Sequence, residues 1–219
     1  MANPSTDLGW GGPQSKPLTI MLVVVVAATI WSAIAPYDYA TWFFELFIGA
    51  GAIIAVVLLR HRFPMSALLL AVAAIHYVVL AMGAKYTYAE EPIFSWLRDT
   101  LDLSRNHFDR VGHFMQGVTP ALVMREVLQR RTKIGRGFWM GFTALTTAKA
   151  FSALYEILEW LWVAAFYPEV GPEWLGMQGD PFDAQADMLM ATLGGLLSTV
   201  VLARWHDISI DDLLGRIRP

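Results

Sequence analysis

The sequence predicts an all-α fold: a polytopic membrane helix bundle of about six transmembrane helices, with both termini cytoplasmic. Three observations carry that expectation. Of 219 residues, 56% are hydrophobic and only 16% are charged, whereas a soluble domain is about 25% charged. Six stretches have the length and apolar character needed to cross a bilayer, about 20 residues each. Lys and Arg gather in alternate connections between those stretches.

The spans are expected at 18–35, 40–59, 65–84, 107–128, 137–166 and 184–205. They form one bundle domain, 18–205. A polar tail rich in Gly, Pro and Ser, 1–17, precedes it, and a cytoplasmic segment, 206–219, follows. The connection after the second span carries Arg60 and Arg62. The one after the fourth carries Arg125, Arg130, Arg131, Lys133 and Arg136, and the C-terminal segment carries Arg204, Arg216 and Arg218. Alternating spans put all three on one side, and short Lys/Arg-rich loops stay in the cytoplasm. Between spans three and four, the stretch 92–99 alternates apolar and charged residues in helical fashion, so a helix in the membrane interface is expected. The stretch 167–181, rich in Pro, Gly and Trp, is expected to cap the bundle from outside.

Composition also excludes chemistry. With no cysteine there is no disulfide, thiolate ligand or Cys nucleophile. A net charge of −3 gives no reason to expect nucleic acid. Membrane lipid is the expected surrounding partner, and the oligomeric state is left open.

The informative residues are polar ones inside apolar helices. A charge at mid-membrane costs about 2.5–3.5 kcal/mol on insertion scales, so such groups face the bundle interior. In the fourth span, Asp109 and His113 are four apart and share a face, with Gln116 three further on. Arg105 and Arg110 lie beside them. The fifth span carries Lys149, Ser152, Glu156 and Glu159 at spacings of three, four and three, a stripe expected to face protein, with Tyr155 next to it. The sixth opens with Asp183 and Asp187, again four apart, and Gln185 between them. The alternating topology puts all three groups at one depth, in the outer half of the bundle.

His with carboxylates is an ordinary ligand set for zinc, manganese or iron. The expected metal ligands are His113, Glu156 and Asp187, with Asp109, Glu159 and Asp183 as further ligands or as supports of the ligands. Arg105, Arg110, Gln116, Lys149, Tyr155 and Gln185 are expected as charge or hydrogen-bond partners around them. Plainer roles are expected elsewhere. Asp180 and Asp183 suit helix caps. Glu90, Glu91, Asp99 and Asp102 read as solvated loop charges, and Glu126 as an ion-pair partner among arginines. His76 reads as a packed histidine, and the nine Trp as interface anchors.

Three segments carry a family resemblance: RNHFDRVGHFMQGVTPALVMREVL (105–128), SALYEILEW (152–160) and GMQGDPFDAQADMLMATLGG (176–195). Together they resemble the YjdF-like bacterial inner-membrane proteins, a family defined by a domain of unknown function. The order Asp109/His113, Glu156, Asp187 is also similar to that of the VanZ-like membrane proteins, which implies a cell-envelope role.

Three functional expectations follow. The first is an outward-facing pocket that binds a divalent metal and serves a metal-dependent hydrolase or transferase acting on an envelope lipid or glycan. No nucleophile motif is present, and Ser152 lacks the setting of a nucleophile elbow. The second is a small ion or proton carrier that uses the carboxylates as a relay. The third is a structural membrane protein whose polar cluster fixes helix packing.

Overall fold

A computed structural model describes residues 14–166 and 178–217. Among these there are eight α-helices and no strand: α1 (Ser15–Ala33), α2 (Tyr39–Leu59), α3 (Ala67–Tyr86), α4 (Pro92–Leu101), α5 (Phe108–Arg131), α6 (Phe138–Phe166), α7 (Asp183–Leu196) and α8 (Ala203–Ile217). A 3-10 turn, Tyr88–Glu90, joins α3 to α4. A π turn, Leu197–Val201, joins α7 to α8.

Four helical stretches are long and apolar enough to cross a membrane: Ser15–Ala33, Tyr39–Leu59, Ala67–Tyr86 and Asp183–Val201. The other two expected spans appear as α5, of 24 residues, and α6, of 29 residues. Both are long enough to span, and both carry inward polar residues. The apolar surface is in the wrong place for a soluble globule: Phe47, Leu58, Phe138 and Val200 are 65%, 71%, 74% and 71% exposed. Side chains of this kind belong against lipid tails, where the helix satisfies its own backbone.

The buried core has two parts that share α3. Leu18, Met21 and Val25 of α1 pack with Leu46 and Ile53 of α2 and with Leu70 and Tyr77 of α3. The opposite side of α3, through Leu69, meets Val118 and Leu122 of α5. Ala121 of α5 and Ala144 and Ala148 of α6 make a small-residue seam, which lets these two helices approach closely. The closest approach is between α5 and α7, at Gly117 and Gly194. A Cβ on either glycine would fall 1.9 or 2.0 Å from a carbonyl oxygen of the other helix.

Local capping follows the sequence. Asp38 caps α2 by accepting from the Thr41 N–H at 2.7 Å. The expected interfacial helix is present as α4, with Pro92 in its first turn and Glu91 as its N-cap, accepting from the Phe94 N–H at 2.8 Å. Glu91 is 1% exposed, so the expectation of a solvated loop charge is corrected: the carboxylate is consumed in starting a helix. The N-terminal stretch is helical from Ser15, and Gln14 donates to the Arg60 carbonyl at 2.7 Å. Most of the expected tail and of the Pro/Gly/Trp-rich cap, residues 1–13 and 167–177, lies outside the described residues.

At the end of the bundle away from Asp109, Glu126 accepts from Arg130 at 2.7 Å and from the Ser66 hydroxyl at 2.7 Å, and lies 3.3 Å from His206 Nε2. The expected ion pair is there, and Glu126 and His206 are both fully buried. The π turn carries α7 into α8 with a Leu202 N–H to Leu197 carbonyl bond of 2.9 Å, and Ser198 donates to the Val118 carbonyl at 3.0 Å.

Candidate functional site: a histidine set among carboxylates

The site is built by the beginnings of α5 and α7 and the second half of α6. Asp109 and Asp183 lie in the first turns of α5 and α7, where the free N–H groups and the helix dipole favour a carboxylate. The glycine contact between these helices sets the two N-terminal turns side by side.

Asn106 holds the entry to α5. It is fully buried, and its Nδ2 donates to the Glu91 carbonyl at 2.9 Å and to Ser95 Oγ at 3.0 Å. Its Oδ1 accepts from the Phe108 N–H at 2.9 Å. Its backbone exchanges two hydrogen bonds with the Gln178 side chain, at 2.9 and 3.0 Å. One residue therefore ties α4, α5 and the lead-in to α7 together.

Two guanidinium groups then knit the carboxylates. Arg105 pairs directly with Asp183 and lies 3.8 Å from Asp109. Arg110 bonds Asp187, and reaches Asp183 Oδ1 at 2.7 Å. Asp180 is 3.8 Å from Arg105 and 3.5 Å from Arg110. It also accepts from the Phe182 N–H at 2.9 Å. Asp183 thus serves the arginines, and no side-chain cap is made at the start of α7.

His113 lies at the centre, 6% exposed. Its Nδ1 is 3.1 Å from Gln116 Oε1 and 3.3 Å from Glu156 Oε1. Nε2 lies 3.4 Å from Asp109 Oδ1 and 3.8 Å from Asp187 Oδ1. Both ring nitrogens therefore face oxygen atoms. Asp109, His113 and Asp187 each offer one ligand atom, and the three atoms lie within 4.8 Å of one another.

Beside this group is a cavity of about 30 Å³, lined by Glu45, Tyr88, Asp109, His113, Tyr155 and Glu159 among others. That is room for an ion or about one or two waters. Tyr88 enters it because α3 and α5 carry Gly83 and Gly112 where its ring lies; a Cβ there would come within 2.4 and 2.9 Å of the ring. Tyr155 meets His113 edge-on at 6.0 Å.

Nearly all the expected residues converge. Asp109, His113, Gln116, Glu156, Asp183, Asp187, Arg105 and Arg110 form one connected group, and Glu159 and Tyr155 line the adjoining cavity. Lys149 and Gln185 do not join it: both are exposed on the outer sides of their helices. The polar stripe of α6 therefore ends at Ser152, which is fully buried. Tyr88 and Asn106 were not anticipated. Gly83 and Gly112 are the sequence trace of the tyrosine.

Residues 17–208 match the family model described as "Predicted membrane protein (DUF2238)". The chain belongs to this family. The inner membrane protein YjdF of Escherichia coli (strain K12) is 38% identical to it over 196 residues, 88% of this chain and 90% of that protein. No solved structure matches. The resemblance read from the three motif segments is thereby borne out. The DUF2238 match takes in the whole His113 cluster, and this member, like YjdF, is an inner-membrane protein.

Proposed function

We propose that the chain is a six-span inner-membrane protein, both termini cytoplasmic, whose outward-facing cluster holds one divalent cation for chemistry on an envelope lipid. The observation that carries this reading is the setting of His113: a buried imidazole with Nδ1 against a carboxylate and an amide, and Nε2 toward two further carboxylates, so that a ring protonated on Nδ1 would offer its lone pair to an ion held between Asp109 and Asp187. A carboxylate behind a ligating histidine is the usual way such a ligand is oriented. Ligand atoms around a tetrahedral ion with bonds of about 2.0 Å sit about 3.3 Å apart, close to the 3.4 Å between His113 and Asp109.

Charge supports the same reading. Seven carboxylates (Glu45, Asp109, Glu156, Glu159, Asp180, Asp183 and Asp187) gather around two arginines and one histidine. The arginines already serve Asp183 and Asp187. A surplus of buried negative charge calls for protons or a cation. His113, Asp109 and Asp187 would hold the ion, Glu156 and Gln116 would orient the imidazole, and Arg105 and Arg110 would fix the aspartates. A divalent ion bound there supplies Lewis acidity and a more acidic water, as hydrolysis or group transfer on a phosphate ester needs. Zinc, manganese and iron all accept this donor set.

A proton or ion path across the membrane fits less well. Beneath the cluster the space between helices is walled mainly by apolar residues such as Ile53, Ala73, Val123 and Phe151.

Metal analysis of the detergent-purified protein by plasma mass spectrometry tests the proposal, beside His113→Ala and Asp187→Asn variants whose helicity and melting show that they fold. Near-stoichiometric metal in the parent, lost in both variants, is expected. A parent that stays metal-free after incubation with zinc, manganese and iron and desalting overturns it.

A further inference from the structure

A second, larger cavity begins where the first ends. It measures about 360 Å³ and runs between α2, α3, α5 and α6, within the range of about 300–1,000 Å³ seen for small-ligand sites. Glu45, Leu80, Gln116 and Tyr155 line both cavities, so the two are contiguous. The end near the cluster is polar. The far end, at Ile53, Ala73, Val123 and Met124, is apolar.

The cavity opens sideways. Near the outer end, α2 and α6 meet through the stacked rings of Phe44 and Trp162, 4.8 Å apart. Deeper in, the lining residues Ile48, Val123 and Phe151 are 37%, 36% and 39% exposed. At the polar end, Glu45 Oε2 and His76 Nε2 are buried with no hydrogen-bond partner among the described residues. His76 uses only its Nδ1, 2.9 Å from Thr119 Oγ1. Buried polar atoms of this kind ordinarily have a partner. The combination of an apolar shaft, a lateral mouth toward the bilayer and unmet polar groups at one end suits an amphipathic chain.

We infer that this cavity receives one hydrocarbon chain of a phosphate-bearing membrane lipid, entering between α2 and α6, with the phosphate end at the His113 cluster. The inference rests on the proposed function for its head end, because the surplus of carboxylates repels a phosphate unless a cation lies between them. The shaft recognises the chain by burial alone.

The test is photolabelling of the full-length protein in nanodiscs. One probe is a phosphatidic acid with a diazirine at the end of one acyl chain, and the other is the long-chain alcohol with the same diazirine. Labelled peptides are mapped by mass spectrometry. Phosphatidic acid is expected to label residues around Ile53, Val123 and Phe151 well above the apolar α1 groove at Leu22 and Val26, and chelation is expected to lower that labelling. Ala52→Phe and Val123→Phe, at exposed lining positions and shown by helicity and melting to fold, are expected to lose most of it while keeping their metal. Equal labelling of the cavity and the α1 groove means ordinary bilayer contact and overturns the inference without touching the metal site. Equal labelling by the alcohol, or labelling unmoved by chelation, overturns the placement of the phosphate. A metal-free parent overturns the proposed function separately.

Discussion

Gly117 of α5 and Ala191 of α7 are in backbone contact: a Cβ on residue 117 would lie 1.9 Å from the Ala191 carbonyl oxygen. Everything at the site depends on that contact, because it brings the first turns of α5 and α7 within reach of one another. Gly117→Ala is expected to destabilise the protein by about 3 kcal/mol or more, since backbone cannot move aside as a side chain can. Gly51→Ala, on α2 with nothing within 4 Å, serves as the control and should melt at or slightly above the parent. Thermal unfolding in detergent separates the two; a Gly117→Ala protein that melts like the parent would mean that α5 and α7 pack differently.

Asn106 makes three side-chain hydrogen bonds to three partners while fully buried. Asn106→Ala strands the Glu91 carbonyl and the Phe108 N–H, a loss of about 2–3 kcal/mol. Asn106→Asp keeps the acceptor for Phe108 but sets a buried carboxylate oxygen against the Glu91 carbonyl, so it should be destabilised at least as much as the alanine variant. Chemical denaturation of the three proteins checks the order.

Glu126 is the anchor of the other end. Removing one partner from a buried charge group costs about 3–5 kcal/mol, so Glu126→Ala is expected to loosen α8, whose His206 loses its contact. Limited proteolysis should then cut within 203–217 faster than in the parent. Metal content should be unchanged, since His113 lies at the far end of α5. An unaltered digestion rate would sink the idea that Glu126 latches α8.

Asp38, in the connection between α1 and α2, accepts two hydrogen bonds from Thr41, at 2.7 and 2.9 Å. These bonds hold its carboxyl below the ordinary value of 3.8. The sign follows from that lowering: the cap stabilises fully above 3.8, and its contribution disappears as pH falls through the lower folded value. Asp38→Asn should remove this acid dependence while retaining a cap, and Asp38→Ala should cost about 1 kcal/mol near neutral pH. Melting curves taken across the acid range of the parent and both variants provide the comparison.

Much of this site was legible from residue spacing, because charged groups inside apolar helices have few places to go. Asp109 with His113, and Asp183 with Asp187, share faces by helical periodicity, and the alternation of spans put them at one depth. Lys149 broke the pattern. It continues the spacing of Ser152 and Glu156, yet spacing alone does not say where a helix face turns outward. Glu91 failed differently: a carboxylate before Pro92 reads as loop or as cap with equal ease, and burial decides between them. Tyr88 was hidden because its place depends on two glycines, Gly83 and Gly112, on different helices, a coincidence that only the packed structure brings together.

The π turn at Leu197–Val201 joins two helices that serve opposite ends of the bundle. A regular helix advances about 100° per residue, so the extra residue of a wider turn re-aims everything after it. Upstream, Asp187 looks toward His113 and Asp183 toward Arg110; downstream, His206 looks toward Glu126. Sequence change on one side of the turn need not disturb the aim of the other. The surroundings of His113 and of Glu126 can therefore drift at different rates on either side of the turn, with the five residues between them setting the phase.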